Sequence, residues 1–226
     1  MRDLKNMQII DIDITNYCDK RCSNCTRMIG HYKTNQLYFM DLDYFEKAVI
    51  SLKDFEGIIG IIGGEPTLHP QFPEICKILA KHIPDKKRRG IFSNRGEYYK
   101  KYEELIDDTF DFYVVNHDKS RVFHAPILVS IKSMISDPVK REELIDNCWI
   151  QTTWSGTINP KGGFFCEVAG AMSILLDGPM GFDIVKEPGW WKRPIADFNE
   201  QRKWACNRCG AAVKTKPRKA SEEIDD

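Results

Sequence analysis

Residues 9–25 read Ile-Ile-Asp-Ile-Asp-Ile-Thr-Asn-Tyr-Cys-Asp-Lys-Arg-Cys-Ser-Asn-Cys, and two patterns meet in them. The first is alternation. Between residues 7 and 14, Ile10, Ile12 and Ile14 fall on one side and Asp11 and Asp13 on the other, which predicts a β-strand. The second is thiol spacing, Cys18-x3-Cys22-x2-Cys25, in the loop that follows. Three cysteines this close cannot all pair with one another. They can hold three corners of a cubic iron–sulfur cluster and leave the fourth iron without a protein ligand. A zinc site is the alternative, but it wants four ligands, so a fourth such as His31 would have to join.

Working outward, the chain repeats strand, loop and helix. Asp41 caps a predicted helix running to about Lys53, with Tyr44, Phe45, Ala48, Val49 and Leu52 on its apolar side. The run Ile58-Ile59-Gly60-Ile61-Ile62 predicts a strand buried on both faces, ended by Gly63-Gly64-Glu65-Pro66. A helix over 71–82 and a strand over 89–93 follow, the strand closing at Ser93-Asn94-Arg95-Gly96. Next come a helix over 99–106, a strand over 111–115 closing at Asn116-His117, a fifth strand over 127–131 and a helix over 139–145.

Such units force a parallel sheet with right-handed crossovers. Five strands are too few for a closed eight-stranded barrel. The expected class is therefore α/β: a partial (βα) barrel of about five parallel strands over residues 1–146. Loops at strand C-termini carry the ligand sites in such sheets, so the cysteine loop, the Gly-Gly-Glu-Pro turn, Ser93-Asn94 and Asn116-His117 are expected on one rim.

After Asn147 the composition changes. Residues 147–213 are expected to form a small cysteine-rich β-hairpin and helix domain. Asn159-Pro160-Lys161-Gly162 is the hairpin signal, between strands over 154–158 and 163–168, with helices predicted over 169–176 and 196–204. Cys148, Cys166, Cys206 and Cys209 fall in this segment, as do Trp149, Trp154, Trp190, Trp191 and Trp204, which are expected to pack around the thiols. Four thiols can saturate either zinc or one [4Fe–4S] cluster. Residues 214–226 read as a charged tail.

Composition bounds the function. With 42% apolar residues the chain can build a core, and 33 basic against 33 acidic residues predict no broad surface for nucleic acid. No run of about 20 apolar residues predicts a membrane span. The first residues lack the apolar run of a signal peptide, so a cytoplasmic location is expected. In that reducing compartment clustered cysteines favour metal over disulfides. The eighth thiol, Cys76, shares a helical face with Phe72, Leu79 and Ile83 and is read as core.

The cysteine triad after one strand and Gly63-Gly64-Glu65-Pro66 after the next make the chain resemble the radical S-adenosylmethionine (radical SAM) family over roughly residues 8–131. The resemblance implies that the open iron chelates the methionine end of SAM and that Gly63, Gly64, Glu65 and Pro66 grip its amino group. One electron from the cluster then cleaves SAM to a 5′-deoxyadenosyl radical, which takes a hydrogen atom from the substrate. Ser93, Asn94 and Asn116 are implied as further SAM contacts. The residue before the third cysteine is often aromatic in that family and lies near the adenine; here it is Asn24.

The C-terminal cysteine layout is similar to the Twitch or SPASM-like segment of small radical SAM enzymes, which binds one auxiliary [4Fe–4S] cluster. The aminocyclitol (2-deoxy-scyllo-inosamine) dehydrogenase type shares it. The resemblance implies an oxidoreductase acting on a small hydroxylated, sugar- or cyclitol-like substrate. A base removes the hydroxyl proton, the auxiliary cluster accepts an electron, and a flavodoxin or ferredoxin supplies the first one. Arg27, His31, Arg95, His117 and Lys132 are the candidates for proton transfer or substrate binding, while His69 is read as shaping its turn. A peptide-modifying enzyme or an epimerase is the rival, and a non-enzymatic iron–sulfur or zinc scaffold the remote one.

Overall fold

The computed structural model describes residues 1–22, 25–115, 127–153 and 156–214. Asn24, Asn116, His117, Trp154 and nearly all of the charged tail lie outside the described residues. Strands β1 (Ile9–Thr15), β2 (Ile58–Gly63), β3 (Arg89–Ser93), β4 (Phe112–Val115), β5 (Gly156–Asn159) and β6 (Gly162–Phe164) form a six-stranded sheet in the order β4-β3-β2-β1-β5-β6. The first five are parallel, and only β6 runs antiparallel, against β5. This mostly parallel α/β sheet is the architecture of a partial barrel.

Helices α1 (Leu42–Ser51) and α2 (Phe72–His82) are the first two crossovers. The Asp41 carboxylate accepts the Asp43 and Tyr44 N–H groups at 2.9 and 3.2 Å, which starts α1 where the capping signal predicts. Phe45, Ala48 and Val49 of α1 and Phe72, Ile75, Cys76 and Leu79 of α2 are buried at helical spacing. They meet Ile10, Ile12 and Ile14 of β1 and Ile59 and Ile61 of β2 in the core. Cys76 is thus a core thiol. Ile58 and Ile62 are half-buried, so β2 is less covered on its second face than the apolar run predicts.

Three expectations change. The predicted single helix over 99–106 is two, α3 (Glu97–Lys101) and α4 (Glu103–Thr109). The apolar run at 127–131 is not a strand. Leu128 and Val129 are each 44% exposed, and the Ser130 side chain accepts the Lys132 N–H, capping the short helix α5 (Ile131–Met134) instead. The fifth parallel strand is β5, from the hairpin. After α6 (Pro138–Asp146) and α7 (Trp149–Thr153) the chain crosses to the far side of β1, where Ile10, Asp11 and Ile12 pair with Gly156, Thr157 and Ile158. One sheet therefore runs through both segments of the chain. The hairpin turns where Asn159 Oδ1 accepts the Lys161 N–H at 2.8 Å.

Helices α8 (Glu167–Leu175) and α9 (Asn199–Cys206) follow. An added Cβ at Gly170 would stand 2.7 Å from the Thr157 methyl and 3.0 Å from Asn159 Nδ2, so this glycine lets α8 lie directly on β5. Among the described residues no helix is long and apolar enough to cross a membrane.

Candidate active site and metal centres

The cysteine triad sits on an excursion closed at its base. Asn16, just after β1, donates from Nδ2 to the Gln36 carbonyl at 2.9 Å and accepts the Tyr38 N–H at 2.8 Å. Thr15 Oγ1 donates to the Tyr38 carbonyl at 2.8 Å. These bonds fix the two ends of the excursion to the strand. Cys18 and Cys25 are half-buried and Cys22 is exposed, and no disulfide joins any of the eight cysteines.

The Gly63-Gly64 turn is packed onto the root of this excursion. Gly64 N–H donates to the Thr15 carbonyl at 2.7 Å and Glu65 N–H to the Tyr17 carbonyl at 2.8 Å. A Cβ on Gly63 would overlap the Thr15 carbonyl oxygen, and one on Gly64 the Tyr17 carbonyl oxygen. Only glycine permits this approach. The Glu65 carboxylate points inward, with the residue fully buried. It accepts from the Thr67 N–H and hydroxyl at 3.2 and 2.6 Å, from Ser93 Oγ at 3.0 Å and from the Asn94 N–H at 2.8 Å. Glu65 is thus the clamp between the turns after β2 and β3, and the open surface of the turn is its backbone.

Asn94 continues the chain of contacts. Its Nδ2 lies 2.6 Å from Asp19 Oδ1 and 3.8 Å from Cys18 Sγ. Gly63–Pro66, Ser93, Asn94 and Cys18 therefore form one hydrogen-bonded rim at the C-terminal ends of β1, β2 and β3. Burial pushes the Cys18 thiol up to about 12, with Asp19, Cys25 and Glu65 adding to the effect.

The candidate proton-transfer residues are not gathered there. His31 and Lys132 are exposed. Arg95 is exposed and stacks over the Tyr99 ring at 5.2 Å. His69 accepts the Gln71 N–H at Nδ1 and faces the Met40 carbonyl through Nε2 at 3.0 Å, which fixes its tautomer and fits its turn-shaping reading.

Arg27 is buried instead, among groups that sequence reasoning missed. Its Nε donates to Asp13 Oδ1 at 2.8 Å, Nη1 lies 2.9 Å from Glu167 Oε2, and Nη2 lies 3.5 Å from Asp11 Oδ2. The four residues are each less than 5% exposed. Asp11 and Asp13 occupy the face of β1 opposite the isoleucines, so this polar face is covered rather than solvated. Thr157 of β5 reaches Asp13 Oδ2 at 3.4 Å. Three carboxylates surround one guanidinium. Desolvation, with Glu167 and Asp13 adding to it against Arg27, raises the Asp11 carboxyl well above its ordinary range. The signal lay in the Ile-Asp alternation of a strand at the centre of the sheet, whose two faces are both covered.

The second cysteine group converges. Cys148, Cys166, Cys206 and Cys209 line one apolar cavity together with Phe165, Val168, Ala205 and Ala211. Burial raises all four thiols, Cys209 up to about 12. Among the described residues no three Cys, His, Asp or Glu side chains are gathered tightly enough for a single metal ion. A cubic cluster needs no such gathering, because its corners are reached by thiolates spread around a cavity. The donor set and its dry lining fit such a cluster.

Trp190, Trp191 and Trp204 do not line this cavity, contrary to expectation. Trp190 covers Gly163 of β6, Trp191 donates from Nε1 to the Ser51 carbonyl at 2.8 Å, and Trp204 packs on Gly178. Aliphatic residues and Phe165 account for most of the rest of the thiol cavity's lining.

Comparisons with known proteins agree with this geometry. Residues 12–127 match the Radical SAM superfamily. A protein of Methanococcus aeolicus described as "Probable GTP 3',8-cyclase" is 31% identical over 111 residues. The match covers 48% of this chain and 36% of that protein, so the chain spans well under two thirds of this relative. A crystal structure of BtrN in complex with AdoMet and 2-DOIA superposes with a TM-score of 0.55 at 16% identity, covering 89% of this chain and 88% of that one. An open form of BtrN gives 0.54 at 14% identity, with 96% and 98% covered. At these identities the likeness is one of fold. With the family match spanning more than half of its residues, the chain belongs to the radical SAM superfamily.

Proposed function

We propose that the protein is a radical SAM oxidoreductase that converts a carbinol of a small hydroxylated, sugar- or cyclitol-like molecule to a ketone. The observation carrying this reading is the convergence of Cys148, Cys166, Cys206 and Cys209 on one dry cavity, in the same sheet assembly as the Cys18–Cys25 rim. Four thiols saturate a cluster, so this site serves electron transfer better than substrate ligation.

Cys18, Cys22 and Cys25 would hold the SAM-binding cluster, and Gly63–Pro66 with Ser93 and Asn94 would hold SAM. When bound, these groups supply the deoxyadenosyl radical and an electron acceptor. The carbinol C–H hydrogen atom would go to deoxyadenosine, the hydroxyl proton to a base, and the remaining electron to the group that Cys148, Cys166, Cys206 and Cys209 would hold. The chain's own contribution is positional. Glu65 locks the turns after β2 and β3, the glycines bring the turn against the triad's root, and the apolar lining keeps water from the second site. The BtrN fold, covered almost end to end, supports the substrate class. A flavodoxin or ferredoxin in the cytoplasm would supply the first electron.

Anaerobic reconstitution should load about eight irons per chain, and Cys206→Ala about half of that. The wild type should form deoxyadenosine and a ketone in equal amounts from a panel of cyclitols and sugars, while Cys206→Ala should cleave SAM without giving ketone. Full turnover by Cys206→Ala would remove the electron-acceptor role.

A further inference from the structure

The triad excursion and helix α8 touch at three places along the whole helix. At its start, Arg27, two residues after Cys25, meets Glu167, the residue after Cys166, at 2.9 Å. At its middle, the Tyr32 hydroxyl donates to the Ala171 carbonyl at 3.1 Å. At its end, Gln36 Nε2 donates to the Ile174 and Leu175 carbonyls at 3.0 and 2.9 Å, closing carbonyls a helix terminus leaves open. The excursion thus carries three of the thiols and grips the helix that begins beside a fourth. Arg27 is anchored in turn to the centre of the sheet through Asp13.

We propose that Arg27 is a positioning residue that couples the two cysteine sites, so that a change of charge or order at one is felt at the other. The proposal rests on the two-cluster reading for its redox half alone. Its physical basis is the count of charges. One guanidinium serves Asp11, Asp13 and Glu167 together, so weakening any one contact redistributes it among the others. A buried charge network of this kind acts as a set, and cluster potentials follow the net charge around them. Removing the Glu167 carboxylate leaves the guanidinium less compensated. Its positive field, two residues from Cys25, then favours the reduced state of the triad's cluster.

The experiment uses the reconstituted full chain and two variants. Glu167→Gln keeps shape and removes one negative charge on the auxiliary side. Tyr32→Phe removes one hydrogen bond and no charge. Midpoint potentials are read by electron paramagnetic resonance at each poise, and backbone order by hydrogen exchange on the same samples. Glu167→Gln should raise both midpoint potentials. Glu167→Gln and Tyr32→Phe should speed exchange both in 25–36 and in 167–175, with both potentials unchanged in Tyr32→Phe.

Effects of Glu167→Gln confined to the auxiliary cluster and to α8 would overturn the coupling. Potentials shifted by Tyr32→Phe as far as by Glu167→Gln would overturn the role of charge. If only about four irons load, the two-cluster reading fails by itself. The exchange arm still reads the tie, and exchange confined to α8 in Glu167→Gln overturns it there too.

Discussion

Asp11 is the clearest case of a residue whose role depends on its neighbours. Neither of its carboxylate oxygens receives a hydrogen bond among the described residues, and its nearest cation, at 3.5 Å, is already engaged by Asp13 and Glu167. Burial, the largest cause, raises its pKa from 3.8 in the folded chain. The sign follows by linkage. Above the unfolded value the unfolded chain releases this proton first, so the contribution to stability is full below it and is lost as pH rises toward the folded value. Asn carries no such dependence. Asp11→Asn should therefore gain on the wild type as pH rises, with a larger difference in urea midpoint at pH 8 than at pH 5. A difference that is flat or shrinks over that range would contradict the protonation read here. The cysteine triad and Gly63-Gly64 were legible because each works within a few residues. The Arg27 cluster was not, because Glu167 lies far away in the chain and alternation does not tell a solvated face from a covered one.

At the scale of elements, the rim depends on how closely β1 and β2 end together. Each glycine of the turn abuts a backbone carbonyl, which has no rotamer with which to move aside. Gly64→Ala should push the turn off the triad's root. SAM-dependent deoxyadenosine formation should fall at least tenfold, roughly the effect of losing 1.4 kcal/mol of positioning, while iron content stays near that of wild type. Equal loss of iron and activity would mean that the turn supports the cluster rather than SAM.

Strand prediction failed here in an instructive way. The run at 127–131 is as apolar as β2, but Ser130 offers its hydroxyl to a helix N-terminus, and Ile127 and Ile131 alone are buried. The hairpin was visible from Asn159-Pro160-Lys161-Gly162, since turn chemistry is local. That its first strand joins β1 in parallel was not, because Gly156-Thr157-Ile158-Asn159 carries no sign of which neighbour it will find.

At the scale of the molecule, β1 is the keystone: β2 lies on one side and β5 on the other. The division expected after residue 146 separates two groups of cysteines, but a single sheet crosses it. Residues 1–146 alone would leave Arg27 without Glu167, Asp13 without Thr157, and one edge of β1 unpaired. Breaking a buried ion set costs about 3–5 kcal/mol, much of the stability of an ordinary domain. That fragment should show helical circular dichroism without a cooperative urea transition, and should be cleaved rapidly by protease. A sharp transition like that of the full chain would show the N-terminal segment to be self-sufficient.

The central position of β1 also sets an order of events during synthesis. Its first partner, β2, emerges soon after it, but Thr157, which reaches Asp13, follows 144 residues later. For most of translation the nascent sheet presents a bare strand edge with half-matched charges beside it. Such an edge invites pairing with another chain. Contacts so distant in sequence also form slowly. The same strand that centres the finished molecule is thus its most exposed liability until the hairpin leaves the ribosome.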